Sequence, residues 1–339
     1  MVKIGIVGAG KICQGPHMGA YDKIDNAKIV AICDIDEKKL ESVSKRYPDA
    51  KLYTDYKEMI ENEELDAVDI CTPNNYHSIV AIYALNKGLN VLTEKPDAIN
   101  ASEAEKMQKA AEENGKVLMA IRNNRYRPTT KYLKQFIADG KMGEIYAGRC
   151  GWIRRRGIPG WGGWFTDKAQ SGGGPLIDLG VHLIDLAMYL MGNPKPVTVS
   201  GSTYSKFPHT SYSKTDVEDL AMGFIRFENG ACLQIEFSWA SNIECDQMFV
   251  ELRGEKAGSR MSGIDKKFDI FTEEYGTNVT IKPALDDYVP HHEANIRHFI
   301  DVVEGKAEPD FTPVQGVNMV KILEALYKSA ELGHEIALD

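Results

Sequence analysis

Residues 2–13 read VKIGIVGAGKIC. A short apolar run enters two glycines, and apolar residues resume directly after them. The pattern predicts a strand that turns sharply into a helix, and Gly8, Gly10 and Cys13 fit the spacing G-x-G-x-x-small. Gly8 permits the tight turn. Gly10 lets a pyrophosphate approach the backbone, and the helix that follows directs its free N–H groups and positive dipole end at the phosphates. Lys11 and Ile12 open that helix and are read with the turn as cofactor-side residues. Cys13 takes the third position, where a small residue allows close helix–strand packing. Farther along, Asp34 ends the second predicted strand. An acidic residue there accepts hydrogen bonds from the adenosine ribose 2′-OH and repels a 2′-phosphate. Asp36 adds a second negative charge, and Ile35 leaves no cation beside it. NAD is therefore favoured over NADP.

Working outward, the first 120 or so residues alternate apolar strand and amphipathic helix. Strands are expected at 3–7, 27–33, 67–71, 90–93 and 117–121, with helices at 38–46, 56–62, 77–87 and 101–114. Near-continuous apolar strands with helices between them imply a parallel, doubly wound sheet. After Asn123 the texture changes. A helix (129–139) and a strand (145–153) lead into a loop rich in Gly, Arg and Trp, then into a strongly helical run, 175–191. Strands then follow one another at 197–204, 219–227, 231–239, 247–253 and 267–271, with Glu228-Asn229-Gly230 as a hairpin turn. Leu233, Ile235 and Phe237 alternate with Gln234, Glu236 and Ser238, which gives that sheet one dry and one polar face. Helices at 293–304 and 314–332 close the chain. The expected architecture is α/β: a Rossmann domain over 1–122 that binds a dinucleotide, then an α+β domain over 123–339 with a large, mostly antiparallel open sheet, for substrate binding and oligomerisation.

The bulk numbers agree. The chain has 339 residues, 43% hydrophobic and 26% charged, ordinary for a globular protein of two domains. A net charge of -9 argues against a nucleic-acid or membrane-surface partner. No apolar stretch is expected to span a bilayer, and no basic leader precedes the first strand, which points to the cytoplasm. The six cysteines are scattered without a C-x-x-C pair, as expected of reduced, mostly buried thiols.

Three further stretches carry chemistry. The strand expected at 67–71 runs into Thr72-Pro73-Asn74-Asn75-Tyr76-His77, and the one at 90–93 into Glu94-Lys95-Pro96. Ligands bind at the carboxyl ends of strands in such sheets, so Thr72, Asn74, His77, Glu94 and Lys95 are read as bordering the cofactor. The third is SGGGPLIDLGVHLIDL, where Asp178 and His182 are one helical turn apart on one face. An imidazole is a natural proton acceptor near neutral pH, and a carboxylate one turn away can orient it or the substrate. In the preceding loop, Arg154, Arg155 and Arg156 suit an anionic substituent, while Trp161 and Trp164 suit a pyranose face. In His291-His292-Glu293 and His298, His292 and His298 are six apart and do not share a helix face, Glu293 reads as a first-turn acid, and no metal is expected.

Taken together, GIVGAGKI, Asp34, TPNNYH, EKP and GGGPLIDLGVHLIDL resemble the Gfo/Idh/MocA family of sugar and polyol oxidoreductases. The resemblance covers essentially the whole chain. It implies NAD(H) or NADP(H), a sugar, polyol or sugar-derivative substrate, and a homodimer or homotetramer formed through the open sheet. It places the family's functional lysine on Lys95 and its D-x-G-x-H pair on Asp178 and His182. It also sets Asn123 and Arg125 near the cofactor. Three positions depart from the family pattern. Cys13 replaces the usual third small residue, Asp97 follows Lys95-Pro96 where an apolar residue is common, and Ile121-Arg122 stands where Gly-aromatic is frequent. The implied reaction is a dehydrogenation: His182 takes the hydroxyl proton, Lys95 hydrogen-bonds the same oxygen, Asp178 positions a neighbouring hydroxyl, and hydride passes to NAD. The alternative is cleavage of a glycoside by transient oxidation and elimination, with NAD retained and no net redox change.

Overall fold

In the computed structural model, residues 1–159, 163–210, 215–285 and 290–338 are described. The chain forms two compact units, Met1–Asn123 with Pro290–Val317, and Asn124–Val289 with Asn318–Asp339. The two units are not consecutive pieces of chain. The helix His291–Val303, assigned by sequence to the second domain, returns to the first.

The first unit holds six parallel strands: β1 (Val2–Val7), β2 (Ala27–Cys33), β3 (Lys51–Tyr53), β4 (Ala67–Ile70), β5 (Asn90–Thr93) and β6 (Leu118–Ala120). Their order is β3-β2-β1-β4-β5-β6, a doubly wound sheet whose order reverses between β1 and β4. Ligands of such sheets bind at this switch point, outside the carboxyl ends of the strands. β1, β4 and β5 are almost wholly buried, as their apolar runs require. The returning helix seals one side of the core with Ile296, Phe299 and Ile300, all fully buried among Val2, Ile4, Met18 and Tyr21.

The second unit is built on nine strands: β7 (Ile145–Ile153), β8 (Pro196–Tyr204), β9 (Leu220–Phe227), β10 (Cys232–Ser238), β11 (Gln247–Gly254), β12 (Ala257–Ser262), β13 (Phe268–Glu274), β14 (Thr277–Ile281) and β15 (Ile336–Ala337). The order is β14-β13-β12-β11-β7-β10-β9-β8-β15. Among the described residues, every pairing in this sheet is antiparallel except β7 with β10. The hairpin predicted at Asn229-Gly230 joins β9 to β10, with Gly230 at φ +84°. The alternation in β10 holds: Leu233, Ile235 and Phe237 enter the core, where Leu183, Ile184 and Ala187 of the helix Val181–Leu190 meet the sheet. The opposite face carries Arg149, Glu251 and Arg260 in a linked ion pair.

The apolar run around this helix corrects one expectation. Lys168–Leu190 is long and apolar enough by length and composition to cross a membrane, yet 83% of its most apolar window is buried inside the protein. It is a core helix by position.

Candidate active site

The glycine turn has the geometry its sequence demands. Gly8 sits at φ +98°, and a Cβ there would lie 2.7 Å from the Cys71 carbonyl, so no side chain fits. A Cβ on Gly10 would meet no protein atom within 4 Å. The protein therefore does not fill the space against Gly10, which is what a phosphate approaching the backbone requires. Lys11 is exposed and Ile12 is partly so, while Cys13 is fully buried in the core. The substitution at the third small position is thus accommodated by packing. The segment after the turn, Cys13–His17, is a π turn that leads into Met18–Tyr21. Such turns recur at functional sites.

Asp34 closes this loop from β2. Its Oδ2 accepts the Ala9 N–H at 2.8 Å and its Oδ1 accepts the Asp36 N–H at 2.9 Å. Sequence reading missed Lys39, whose Nζ lies 3.2 Å from Asp34 Oδ1. Three buried side-chain oxygens at the strand ends have no hydrogen-bond partner: Thr72 Oγ1, Asn75 Oδ1 and Asn123 Oδ1. An orphaned buried acceptor is costly unless a ligand or water meets it. Open space at Gly10, the Asp34 carboxylate and these orphaned groups fit a dinucleotide with phosphate, ribose and amide functions.

Other residues expected at the cofactor serve the scaffold. Asn74 lies buried in the short turn Asn74–Tyr76. His77 is fully buried, with Nδ1 2.7 Å from the Pro96 carbonyl oxygen and Nε2 3.0 Å from that of Thr72. It clamps the loop after β4 to the loop after β5. Glu94 is buried, faces His17 through Oε1, and accepts the Lys95 N–H on Oε2. Arg125 is buried in a bidentate pair with Asp185, at 2.9 and 2.6 Å, with its guanidinium over the Tyr189 ring. These three side chains hold neighbours in place, and none presents a free surface to a cofactor.

Lys95 differs from its surroundings. From Val91 to Ala98 it alone is partly exposed. The same holds in the second unit, where Asp178 and His182 alone are partly exposed between Gly173 and Met188. The helix that carries them opens with a second π turn, Leu176–Gly180, before Val181–Leu190, so the one-turn spacing spans a widened turn. Asp178 Oδ2 accepts the indole N–H of the buried Trp239 at 3.0 Å. The His182 ring lies 6.3 Å from that of Trp152, and the Arg154 guanidinium lies over the Trp152 ring, 4.8 Å from its centroid.

The glycines before this helix have a steric cause. A Cβ on Gly174 would lie 2.1 Å from the Glu218 carbonyl oxygen, and one on Gly173 would lie 2.1 Å from the Tyr327 hydroxyl. That closeness lets the fully enclosed Glu218 carboxylate accept the N–H groups of Gly174 and Leu176, together with the Tyr327 hydroxyl. A carboxylate at a helix N-terminus satisfies its orphan donors and its dipole. Burial raises the Glu218 pKa, and the backbone donors only partly offset this.

The loop residues divide. Burial lowers the Arg154 pKa, and the Asp178 charge partly offsets this. Arg156 is committed elsewhere, to the Ser241 carbonyl, the Asn242 side chain and the Phe207 ring. Arg155 bonds the backbone of Glu244. Trp164 stacks on Phe165 at 3.9 Å. Trp161 lies outside the described residues. His291 and Glu293 start a helix, and His298 meets Asp310.

Comparison with known proteins agrees with this geometry. The model of the oxidoreductase family with an NAD-binding Rossmann fold matches residues 2–121, and that of the GFO/IDH/MocA C-terminal domain matches 130–260. D-glucoside 3-dehydrogenase of Escherichia coli (strain K12) is 33% identical, over 99% of this chain and 97% of its own. The scyllo-inositol 2-dehydrogenase (NADP(+)) IolW of Bacillus subtilis (strain 168) is 27% identical, over 100% of this chain and 96% of its own. Levoglucosan dehydrogenase in complex with NADH shares the fold, with a TM-score of 0.87 at 21% identity, covering 100% of this chain and 99% of that one. The two matched domains and a relative aligned from end to end place this chain in the Gfo/Idh/MocA family of oxidoreductases, built on an NAD-binding Rossmann fold.

Proposed function

We propose that the protein is an NAD-dependent dehydrogenase of a secondary hydroxyl on a sugar or sugar derivative, with glucosides the first class to test. The observation that carries this reading is the exposure pattern: Lys95, Asp178 and His182 are each the accessible residues in otherwise buried runs. Bound NAD supplies the hydride acceptor. The first unit holds the dinucleotide through the glycine turn, Asp34, Thr72 and Asn123, and contributes Lys95. In this reading His182 is the acceptor of the hydroxyl proton, and Lys95 a hydrogen-bond donor to developing negative charge. Asp178, fixed by Trp239, accepts a hydrogen bond from a neighbouring hydroxyl. Trp152 and Arg154 flank the same place and suit a pyranose face and its oxygens. The substrate class follows the D-glucoside dehydrogenase relative.

The deciding experiment mixes the protein with NAD and a panel of glucosides, free aldoses, polyols and uronic acids, and follows absorbance of reduced nicotinamide. A rise with one class supports the reading and names the substrate. Aglycone release without that rise replaces it with the cofactor-retaining cleavage.

Asp34 sets the coenzyme choice in this reading. Asp34→Asn keeps an acceptor for the Ala9 N–H, removes the charge that repels a 2′-phosphate, and leaves Lys39 without its anionic partner. The ratio of kcat/KM for NAD over NADP is expected to fall about tenfold or more, a change of about 1.4 kcal/mol. An unchanged ratio assigns coenzyme choice elsewhere.

We also infer a cytoplasmic homo-oligomer joined through the outer face of the second sheet. Met222, Phe224, Phe249 and Phe271 support this, since they lie partly or fully exposed on that face beside the Arg149–Glu251 pair. A monomer in sedimentation velocity at micromolar concentration rejects the assembly.

A further inference from the structure

Behind the glycine turn, the first unit buries titratable side chains that the proposed reaction does not use. His17 ends the π turn, with Nδ1 2.8 Å from Asp69 Oδ2 and Nε2 2.9 Å from Glu94 Oε1. Tyr21, one turn on, donates its hydroxyl to the same Asp69 oxygen at 3.0 Å. The Cys71 thiol lies 3.5 Å from His17 Nδ1. His292 of the returning helix places its ring centre 6.3 Å from that of His17. His17 and Asp69 are fully buried. The other Glu94 oxygen accepts the backbone N–H of Lys95 at 3.1 Å.

An imidazole that bonds an ionised carboxylate through each nitrogen carries both protons. Burial alone would lower the His17 pKa, but the Asp69 and Glu94 carboxylates outweigh it and hold the ring well above its ordinary value. Glu94 behaves reciprocally. Burial pushes it up, yet the His17 hydrogen bond and charge, with help from Lys95, keep it well below the usual carboxylate range. Burial keeps His292 below its ordinary value, and burial with the nearby anions keeps Tyr21 and Cys71 above theirs, so these three stay uncharged near neutral pH. The His17 cation is thus in place at and below neutral pH, and is lost only as pH rises through its raised value. The nearness of His17, Asp69 and Cys71, with ligand atoms within 4.8 Å of one another, is explained without a metal ion. Ligands about a tetrahedral metal stand about 3.3 Å apart, whereas 2.8 Å is a hydrogen bond.

We propose that His17 is a positioning residue for the dehydrogenation: bonded to carboxylates at two strand ends, it ties Asp69 to Glu94 and so fixes the backbone from which Lys95 projects. This rests on Lys95 acting in the reaction. His17 touches neither substrate nor cofactor in this role. It acts through Glu94, across a span of 77 residues that no local motif encodes.

The test is His17→Gln in the full chain, with kcat and KM for NAD measured between about pH 6 and pH 9. Without the cation that stands between them, the two buried carboxylates lose their shared counter-charge, so one is held protonated at the acid end and their repulsion grows as pH rises. The expected result is a kcat about 10- to 100-fold below the parent near pH 8, with KM for NAD within about threefold and a variant-to-parent kcat ratio that falls as pH rises. A flat ratio, or a raised KM with kcat intact, overturns the role. Ring ¹H–¹⁵N spectra of the parent read the cluster without turnover, so a variant that fails to fold does not end the test. Two hydrogen-bonded N–H signals from His17 near neutral pH are expected, and Glu94→Gln should shift one of them. A single N–H signal overturns the proposal. A parent that reduces no NAD with any substrate overturns the functional reading and the positioning role together, while the ring spectra still report the cluster.

Discussion

Lys95→Ala and His182→Ala are each expected to lower kcat by about 10²- to 10⁴-fold, with binding of NADH largely retained. Removing a positioned general base costs about 10²–10⁴ in rate, and removing a hydrogen-bond donor to developing negative charge costs about 10²–10³. Both side chains lie at breaks in buried runs, so their truncation exposes no core and leaves the fold intact. The two variants should nevertheless be separable. On the proposed mechanism, His182→Ala removes the proton acceptor. Lys95→Ala also takes away the cation that helps keep Glu94 ionised, so it should disturb the first unit slightly. Steady-state kinetics with the best substrate, together with NADH fluorescence titration, provides the check. Near-full turnover in both variants rejects the assignment. Loss of NADH binding in Lys95→Ala with kcat preserved makes Lys95 a cofactor residue only.

The distance over which each residue's reason acts explains what the sequence revealed. The glycine turn, Asp34, the EKP lysine and the Asp178–His182 pair declare themselves within short windows, because turn sterics and helical spacing are local. Long apolar strands were equally legible. β3 was missed because Lys51–Tyr53 is short, mixed in polarity and mostly exposed, as an edge strand is. β12, β14 and β15 lack the apolar alternation that marks a half-buried strand, or are too short to show it. His17, Glu218 and Trp239 could not be found from periodicity. Their partners lie 52 and 77, 44 and 42, and 61 residues away in sequence. Gly173 and Gly174 were visible, but their cause was not, since the Tyr327 hydroxyl and the Glu218 carbonyl they admit come from far along the chain. His77, Glu94 and Arg125 are polar residues beside a cofactor motif that are also buried and bonded within the protein: His77 and Glu94 hold backbone groups near Lys95, and Arg125 pairs with Asp185.

Two departures from the family pattern, Asp97 and Arg122, explain each other, and this leads to the second large effect. Their side chains form an ion pair, both nearly fully buried, with the Arg122 guanidinium 4.8 Å from the centre of the Phe311 ring. A Cβ on Gly316 would lie 2.4 Å from Asp97 Oδ1, so the carboxylate has backbone packed against it. Arg122 also donates its backbone N–H to Asn295 Oδ1 at 2.7 Å, which ties the end of β6 to the returning helix. Removing one member of a buried pair strands the other charge and costs about 3–5 kcal/mol. Asp97→Ala and Arg122→Ala are each expected to lose stability on this scale, a fall in Tm on the order of 10 °C. Asp97→Ala should also lower turnover, because Asp97 lies two residues beyond Lys95 in the same buried turn. The double variant is the decisive measurement. If the residues act as a pair, the second removal relieves the stranded charge, and Asp97→Ala with Arg122→Ala costs no more than the worse single change. Additive losses, measured by urea unfolding of the full chain, would show two independent residues. A pair gives the departures a packing cause within the first unit, so they carry no information about which sugar the enzyme takes, and substrate choice is then read from Trp152, Arg154 and Asp178 instead.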